Sequence, residues 1–207
     1  DEFYIGNTGF QNLMAQGDSA SIGDVIRLPV NITARQVVGT GELAEQALSN
    51  LRVDGALILD GNEVTSENLV LTTDQIDSRI LVGANIETGQ YDVALTGNIR
   101  DFDIQTFGRV DLVADVRIRP DAAGNLSLGG KIRADMDRLD IGFLKTLAGG
   151  LPRLDTDISL GADNRFRFSN FTLRSPKFTF RGNGVRNSDG IFDISGTGYH
   201  SDYGDLD

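Results

Sequence analysis

Three groups of residues in this sequence have types and spacings that chemistry can use. Gly39-Thr40-Gly41-Glu42-Leu43-Ala44 matches G-x-G-x-x-A, the turn from a strand into a helix that cradles a pyrophosphate. Asp60 follows about twenty residues on, where a ribose ligand would stand. Its setting argues otherwise. Glu42 sits at the helix start, where its charge repels phosphate. The preceding strand alternates polar and apolar residues instead of being apolar on both faces, and no further strand-helix-strand unit follows. The glycines therefore read as a turn into an amphipathic helix. Asp135, Asp137 and Asp140 cluster, and Asp155 alternates with Asp157, as the acid pair of a glycosidase or the ligands of a calcium ion would. They run out of phase with the apolar residues and so belong to a solvated face. His200, beside Tyr199 and Tyr203, has no serine or cysteine elbow to serve and reads as an exposed loop residue. The expectation is a protein with no catalytic residues, no metal and no cofactor, and not an enzyme.

The elements that hold these residues are strands, because period two dominates the chain. Ile26, Leu28, Val30 and Ile32 alternate with Arg27, Asn31 and Thr33; Val110, Leu112 and Val116 alternate with Asp111, Asp115 and Arg117. The same spacing recurs at Leu57 and Leu59, Leu69 and Leu71, Ile80 and Val82, and Val93 and Leu95. It continues at Leu126, Leu128 and Ile132, then at Ile158 and Leu160. Phe166 and Phe168, Phe178 and Phe180, and Phe192 and Ile194 complete it. Residues that tolerate positive φ fall at 60–63, 88–90, 121–125, 161–164 and 187–190, which predicts one rim of tight hairpins. The reversals at 73–77, 98–108, 137–153 and 174–176 are less regular and predict an opposite rim of longer loops. Two short helices are expected on or near that second rim, at 42–51 and at 140–148. The latter has Asp140 as an acidic N-cap and Gly149-Gly150 as its stop. No exact sequence repeat is present. The whole reads as a mainly β antiparallel meander, with residues 1–20 a weak edge or linker and 21–207 a single β-groove segment.

Composition narrows the function. With 207 residues, 40 % hydrophobic and 24 % charged, the chain is long enough to bury a core and is not of disordered type. Its net charge of −11 opposes binding to nucleic acid or an anionic surface. The absence of cysteine excludes a disulfide scaffold and thiolate chemistry. No apolar run approaches the ~20 residues of a membrane helix. The first and last residues read as those of a segment cut from a longer protein. The 25 glycines, about 12 % against an average near 7 %, are the unusual number. Gly55, Gly97, Gly130, Gly182, Gly184, Gly196 and Gly198 fall on the apolar face, where glycine permits sharp curvature. With no tryptophan and little helix to close a sandwich, an apolar, strongly curved sheet predicts a trough, with Arg, Lys, Asp and Thr on its outside.

Several ordered stretches carry a family resemblance. Val38-Gly39-Thr40-Gly41, Leu51-Arg52-Val53-Asp54-Gly55-Ala56-Leu57 and Leu69-Val70-Leu71-Thr72-Thr73-Asp74 are followed by Thr88-Gly89-Gln90-Tyr91-Asp92-Val93. Phe143-Leu144-Lys145-Thr146-Leu147-Ala148-Gly149-Gly150-Leu151-Pro152-Arg153, Phe180-Arg181-Gly182-Asn183-Gly184 and Gly196-Thr197-Gly198 come after. In this order, over roughly residues 34–207, they resemble an internal segment of the TamB family. That family is the inner-membrane component of the translocation and assembly module of Gram-negative bacteria, related to AsmA-like proteins. The resemblance implies an elongated sheet folded into an apolar groove ("β-taco"). It also implies a periplasmic location with the parent protein anchored in the inner membrane, and phospholipid acyl chains as the cargo. The aliphatic and phenylalanine positions named above are then the groove lining. A BamA-like outer-membrane barrel is the implied partner, through regions outside this segment. Two alternatives stand beside it: an assembly factor for outer-membrane β-barrels acting by strand pairing, and a plain β-sandwich binding module.

Overall fold

The computed structural model describes residues 2–5, 8–39, 42–161, 163, 165–187 and 191–206. The chain forms two compact units, Asp1–Ile99 and Arg100–Asp207. In the first are β1 (Glu2–Ile5), β2 (Thr8–Gln11), β3 (Met14–Gln16), β4 (Ala20–Ile22), β5 (Val25–Ala34), β6 (Gln36–Val38), α1 (Glu42–Ala47), β7 (Leu51–Asp60), β8 (Glu63–Thr72) and β9 (Ile76–Asn85). β10 (Tyr91–Ile104) runs on into the second unit. There follow β11 (Gly108–Pro120), β12 (Leu126–Leu139), α2 (Gly142–Ala148), β13 (Arg153–Leu160), β14 (Phe166–Arg174), β15 (Phe178–Arg186), β16 (Phe192–His200) and β17 (Gly204–Leu206).

Fourteen strands form one antiparallel sheet in chain order, from β17 back to β7, then β5 and β3, with β4 also on β5. β6 leaves this path and joins β2 and β1 in a three-stranded sheet. The mainly β, meandering fold read from period two is therefore the one formed. The strand before α1 pairs antiparallel with β2, so the setting of a dinucleotide turn is lacking. Thr40 and Gly41 lie outside the described residues, as do parts of the expected turns at 161–164 and 187–190.

Register sorts each strand into an apolar and a polar face. In the first unit Ile26, Leu28, Val30 and Ile32 stand opposite Leu59, Leu57, Gly55 and Val53. Leu69 stands opposite Ile80, while Val82 and Ile80 stand opposite Val93 and Leu95. Leu71, opposite Val53, shares that face. In the second unit Leu112, Val116 and Leu128 face Ala134, Gly130 and Leu160 across their strands. Val110 pairs with Met136, and Leu126 and Ile132 alternate with it on the same face. Ile158 and Leu160 meet Phe168 and Phe166. Phe178, Phe180, Gly182, Gly184 and Arg186 lie opposite His200, Gly198, Gly196, Ile194 and Phe192.

On the apolar face Gly182 and Gly196 sit opposite one another. A Cβ on Gly182 would stand 2.1 Å from the carbonyl oxygen of Ser195, and one on Gly196 would stand 2.1 Å from that of Arg181. The neighbouring backbone thus comes closer to these positions than a side chain there would allow.

The structure differs from the sequence reading at the helices. α1 ends at Ala47 rather than Leu51, because Thr73 Oγ1 donates to the Ala47 carbonyl (2.7 Å) and Asn50 turns into the left-handed region (φ 53°). Leu51 then opens β7, opposite Ala34. α2 begins at Gly142, not Asp140. The Asp140 carboxylate accepts from Arg138 Nε, and the cap position is Ile141, with no side-chain cap. Gly149 closes α2 in the left-handed conformation (φ 65°), as expected of its C-terminal stop. β10 and β12 also run further than their alternation shows, to Ile104 and Leu139. At Asp101 a positive φ of 52° interrupts the period there.

A structural recurrence underlies the two units. In the first, a strand, α1 and β7–β8 lead to a turn in which Thr73 Oγ1 accepts the Ile76 N–H and Thr73 N donates to Ile76 O. In the second, α2 and β13–β14 lead to the same turn 102 residues later, with Ser175 and Phe178 in those roles. Asn68 and Asn170, also 102 apart, take the same left-handed conformation in the strand before each turn (φ 49° and 53°). The sequences show no exact repeat because the recurrence rests on turn geometry rather than on identical side chains.

Candidate functional site

In the second unit every described strand belongs to the main sheet, so α2 is the element that lies on its apolar face. The helix places Leu144, Leu147 and Ala148 toward the sheet by their i, i+3 and i+4 spacing. Beneath them is a cavity of about 320 Å³. Its floor is built from Val110 and Leu112 of β11, Ala134, Met136 and Leu139 of β12, and Leu154 of β13. Leu173 and Phe178 form one side, and Phe102, Ile104 and Phe107 the other, with Pro152 completing the wall. No polar side chain lines it. Such a lining favours an apolar group, at about 0.8 kcal/mol per methylene moved there from water.

Two hydrogen bonds hold the C-terminal end of α2 in place. His200 Nε2 donates to the Leu147 carbonyl (3.0 Å), while its Nδ1 accepts the backbone N–H of Asp202 (3.1 Å). A carbonyl only accepts and a backbone N–H only donates, so this ring carries its proton on Nε2. Lys177 N donates to the Ala148 carbonyl at 2.9 Å, satisfying a second orphan at the helix C-terminus. His200 is 2 % exposed and stacks on Tyr203 at 4.6 Å. The expected exposed loop residue is thus a buried strand residue, and its work is to tie a helix to β16.

The first unit fills the corresponding place. There Ala34, Val37 and Leu51 form a buried cluster, with Phe10, Leu13, Leu48, Val53 and Leu71 packed against it. The three-stranded sheet supplies Phe10 and Val37 to that plug. The space under α2 has no such filling among the described residues.

Beyond the cavity the apolar face continues uncovered. Leu126 is 52 % exposed and Ile194 57 %, and within the first unit, described by itself, Leu28 is 41 % exposed; each large side chain left so far in water forgoes part of ~1.5–3 kcal/mol. Val110 and Ile158 are buried, as is Leu69 in the first unit. Of the positions expected to line a groove, Val110, Leu112 and Phe178 reach the cavity itself; the others lie along the face. Leu139, Leu154 and Leu173 line the cavity beside Met136 and were not singled out from the sequence. Register shifts bring Leu139 and Leu173 onto this face out of phase with Met136 and Phe168, so period two alone does not reveal them. Phe143 of the same helix as Leu144 is 72 % exposed.

The polar face is laced with ion pairs. Asp155 accepts from Arg133 Nε (2.8 Å), Asp135 pairs with Arg153, and Asp157 accepts from Asn170 (2.6 Å). Asp135, Asp140 and Asp155 each pair with an arginine. Among the described residues no group of three metal-ligating side chains comes together. One charge departs from the expected sorting. Arg186, read as an outside residue, stands on the apolar face between Phe166 and Phe192, its guanidinium carbon 5.8 Å from the Phe192 ring centre.

Comparison with family models, with curated proteins and with solved structures found no match for this chain.

Proposed function

We propose that this chain binds phospholipid acyl chains along the apolar face of its sheet and, as a segment of an envelope-spanning protein, conducts them between the inner and outer membranes. The observation that carries the reading is the apolar face, continuous by register from β11 to β16 in the second unit, with α2 lying over part of it and exposed apolar side chains at Leu126, Phe192 and Ile194. Each methylene moved from water onto it gains about 0.8 kcal/mol, while a headgroup stays in water at a strand end. A periplasmic location and a parent anchored in the inner membrane belong to the same proposal and rest on the family resemblance. No catalytic role is assigned to any residue. Transfer of a fluorescent phospholipid between vesicles by the purified chain tests it. Leu112→Asp, on the apolar face, is expected to slow transfer at least tenfold, and Asp111→Asn, on the other face, to leave it unchanged. Equal rates for the two variants contradict the reading.

A second reading has its own observation. β17 pairs only with Gly198–His200, so among the described residues the outer edge of β16 from Phe192 to Thr197 has no partner strand. Such an edge accepts an extended segment, as an assembly factor for outer-membrane β-barrels would require. Proline at Ile194 discriminates: it blocks capture of a client strand and leaves lipid transfer in place.

A further inference from the structure

The cavity under α2 and the lone cation at the opposite strand end lie on one face of one strand. β15 begins at Phe178 in the cavity wall and ends at Arg186, and Phe178, Phe180, Gly182, Gly184 and Arg186 share the apolar face throughout. The span is eight residues, about 27 Å at ~3.4 Å per residue. Half a bilayer, headgroup included, measures about 20 Å. Between the two ends the floor is glycine and the walls are rings: Phe171 packs edge-on against Phe180 at 5.8 Å, and Phe168 lies 6.1 Å from Phe192. Backbone and rings lie close over these glycines, so a chain would rest on the rings that line the strand.

Arg186 is out of keeping with this lane. It is exposed and stands on the apolar face of β15, and among the described residues no carboxylate pairs with it; Arg35, Arg79, Arg119, Arg174 and Arg181 likewise have no ion pair, so its place on the face is what sets it apart. A cation without a counter-ion, at the open end of an uncharged lane, fits an anionic group attached to a hydrocarbon.

We propose that the second unit holds an anionic amphiphile lengthwise along β15, with its carboxylate or phosphate at Arg186 and the end of its hydrocarbon chain in the cavity under α2. This rests on the lipid-binding reading and adds to it an orientation and a headgroup residue. α2 then acts as the closed end of the lane, so the chain enters from the Arg186 side, tail first.

The absence of cysteine allows one fluorophore to be placed at will. Bimane at Phe143→Cys, exposed on α2, reports the cavity end, and bimane at Asn187→Cys reports the Arg186 end. The probes are stearate and phosphatidylglycerol, each with a doxyl quencher at carbon 5 or carbon 16 of its chain. The expected result is stronger quenching by 16-doxyl at position 143 and by 5-doxyl at position 187. Arg186→Gln should weaken binding about tenfold and erase that pattern, Arg186→Lys should retain most of it, and Arg181→Gln, on the polar face, should change nothing. The pattern with stearate alone identifies a fatty acid and with phosphatidylglycerol alone a phospholipid; either supports the proposal. Quenching that ignores doxyl position, or undiminished binding by Arg186→Gln, overturns the orientation and leaves the lipid reading standing. No quenching by either lipid at either label contradicts both.

Discussion

At the scale of single residues, Asp135, Asp140, Asp155 and His200 each make a specific polar contact within the fold. Asp163 is held in the same way. The Arg167 guanidinium, hydrogen-bonded to it, and the Arg165 N–H lower its carboxyl to about 2. Its pair contributes stability above the ordinary carboxylate range, and that contribution is lost as pH falls toward 2. NMR titration should place the Asp163 midpoint near 2, and Arg167→Gln should return it toward the ordinary value. The glycines of the apolar face are equally committed. Gly182→Ala puts a methyl group 2.1 Å from the Ser195 carbonyl and 2.9 Å from Gly196 Cα, contacts that backbone has to yield to. We expect a loss of about 2–4 kcal/mol in urea unfolding, the range of overpacking and strained cores; Ala at Gly61, with nothing within 4 Å but φ +57°, should cost only about 1 kcal/mol. These glycines were legible in the sequence as a surplus on the apolar parity. Arg186 was legible by the same count and was passed over because charge was assigned to the outer face.

At the scale of elements, the strands were legible and the helix ends were not. Alternation over ten or more residues leaves one choice of face, so Val110 to Ile118 and Leu126 to Ile132 fall where period two puts them. Six- and seven-residue helices carry too few turns for such redundancy, and their ends are decided by tertiary bonds from Thr73, Lys177 and His200. A lone histidine far along the chain gives no sign that it reaches a helix carbonyl 53 residues away. The cavity was hidden for the same reason, since it exists only where α2 is pinned above β11–β14. His200→Ala removes the bond to Leu147 and the stack on Tyr203 from a buried position. It should destabilise the protein by about 1–3 kcal/mol and, more diagnostically, speed amide exchange in α2 well beyond that of β11 and β12. Uniform exchange across these elements would mean that His200 is not the tether.

At the scale of the whole molecule, the account turns on a sheet that keeps one face apolar and leaves much of it in water. A net charge of −11 keeps such a protein soluble, and the ion-paired outer face carries that charge away from the lane. The family resemblance supplied the idea of a lipid cargo; the register supplies the surface on which a cargo would lie. The most direct test is photo-crosslinking in cells from a benzoyl-phenylalanine placed singly at Leu112 and Phe168 on one face and at Asp111 and Arg167 on the other. The account predicts phospholipid adducts, identified by mass spectrometry, from Leu112 and Phe168 and none from Asp111 and Arg167. Absence of lipid adducts from both inward positions, or equal yields from the two faces, would contradict it.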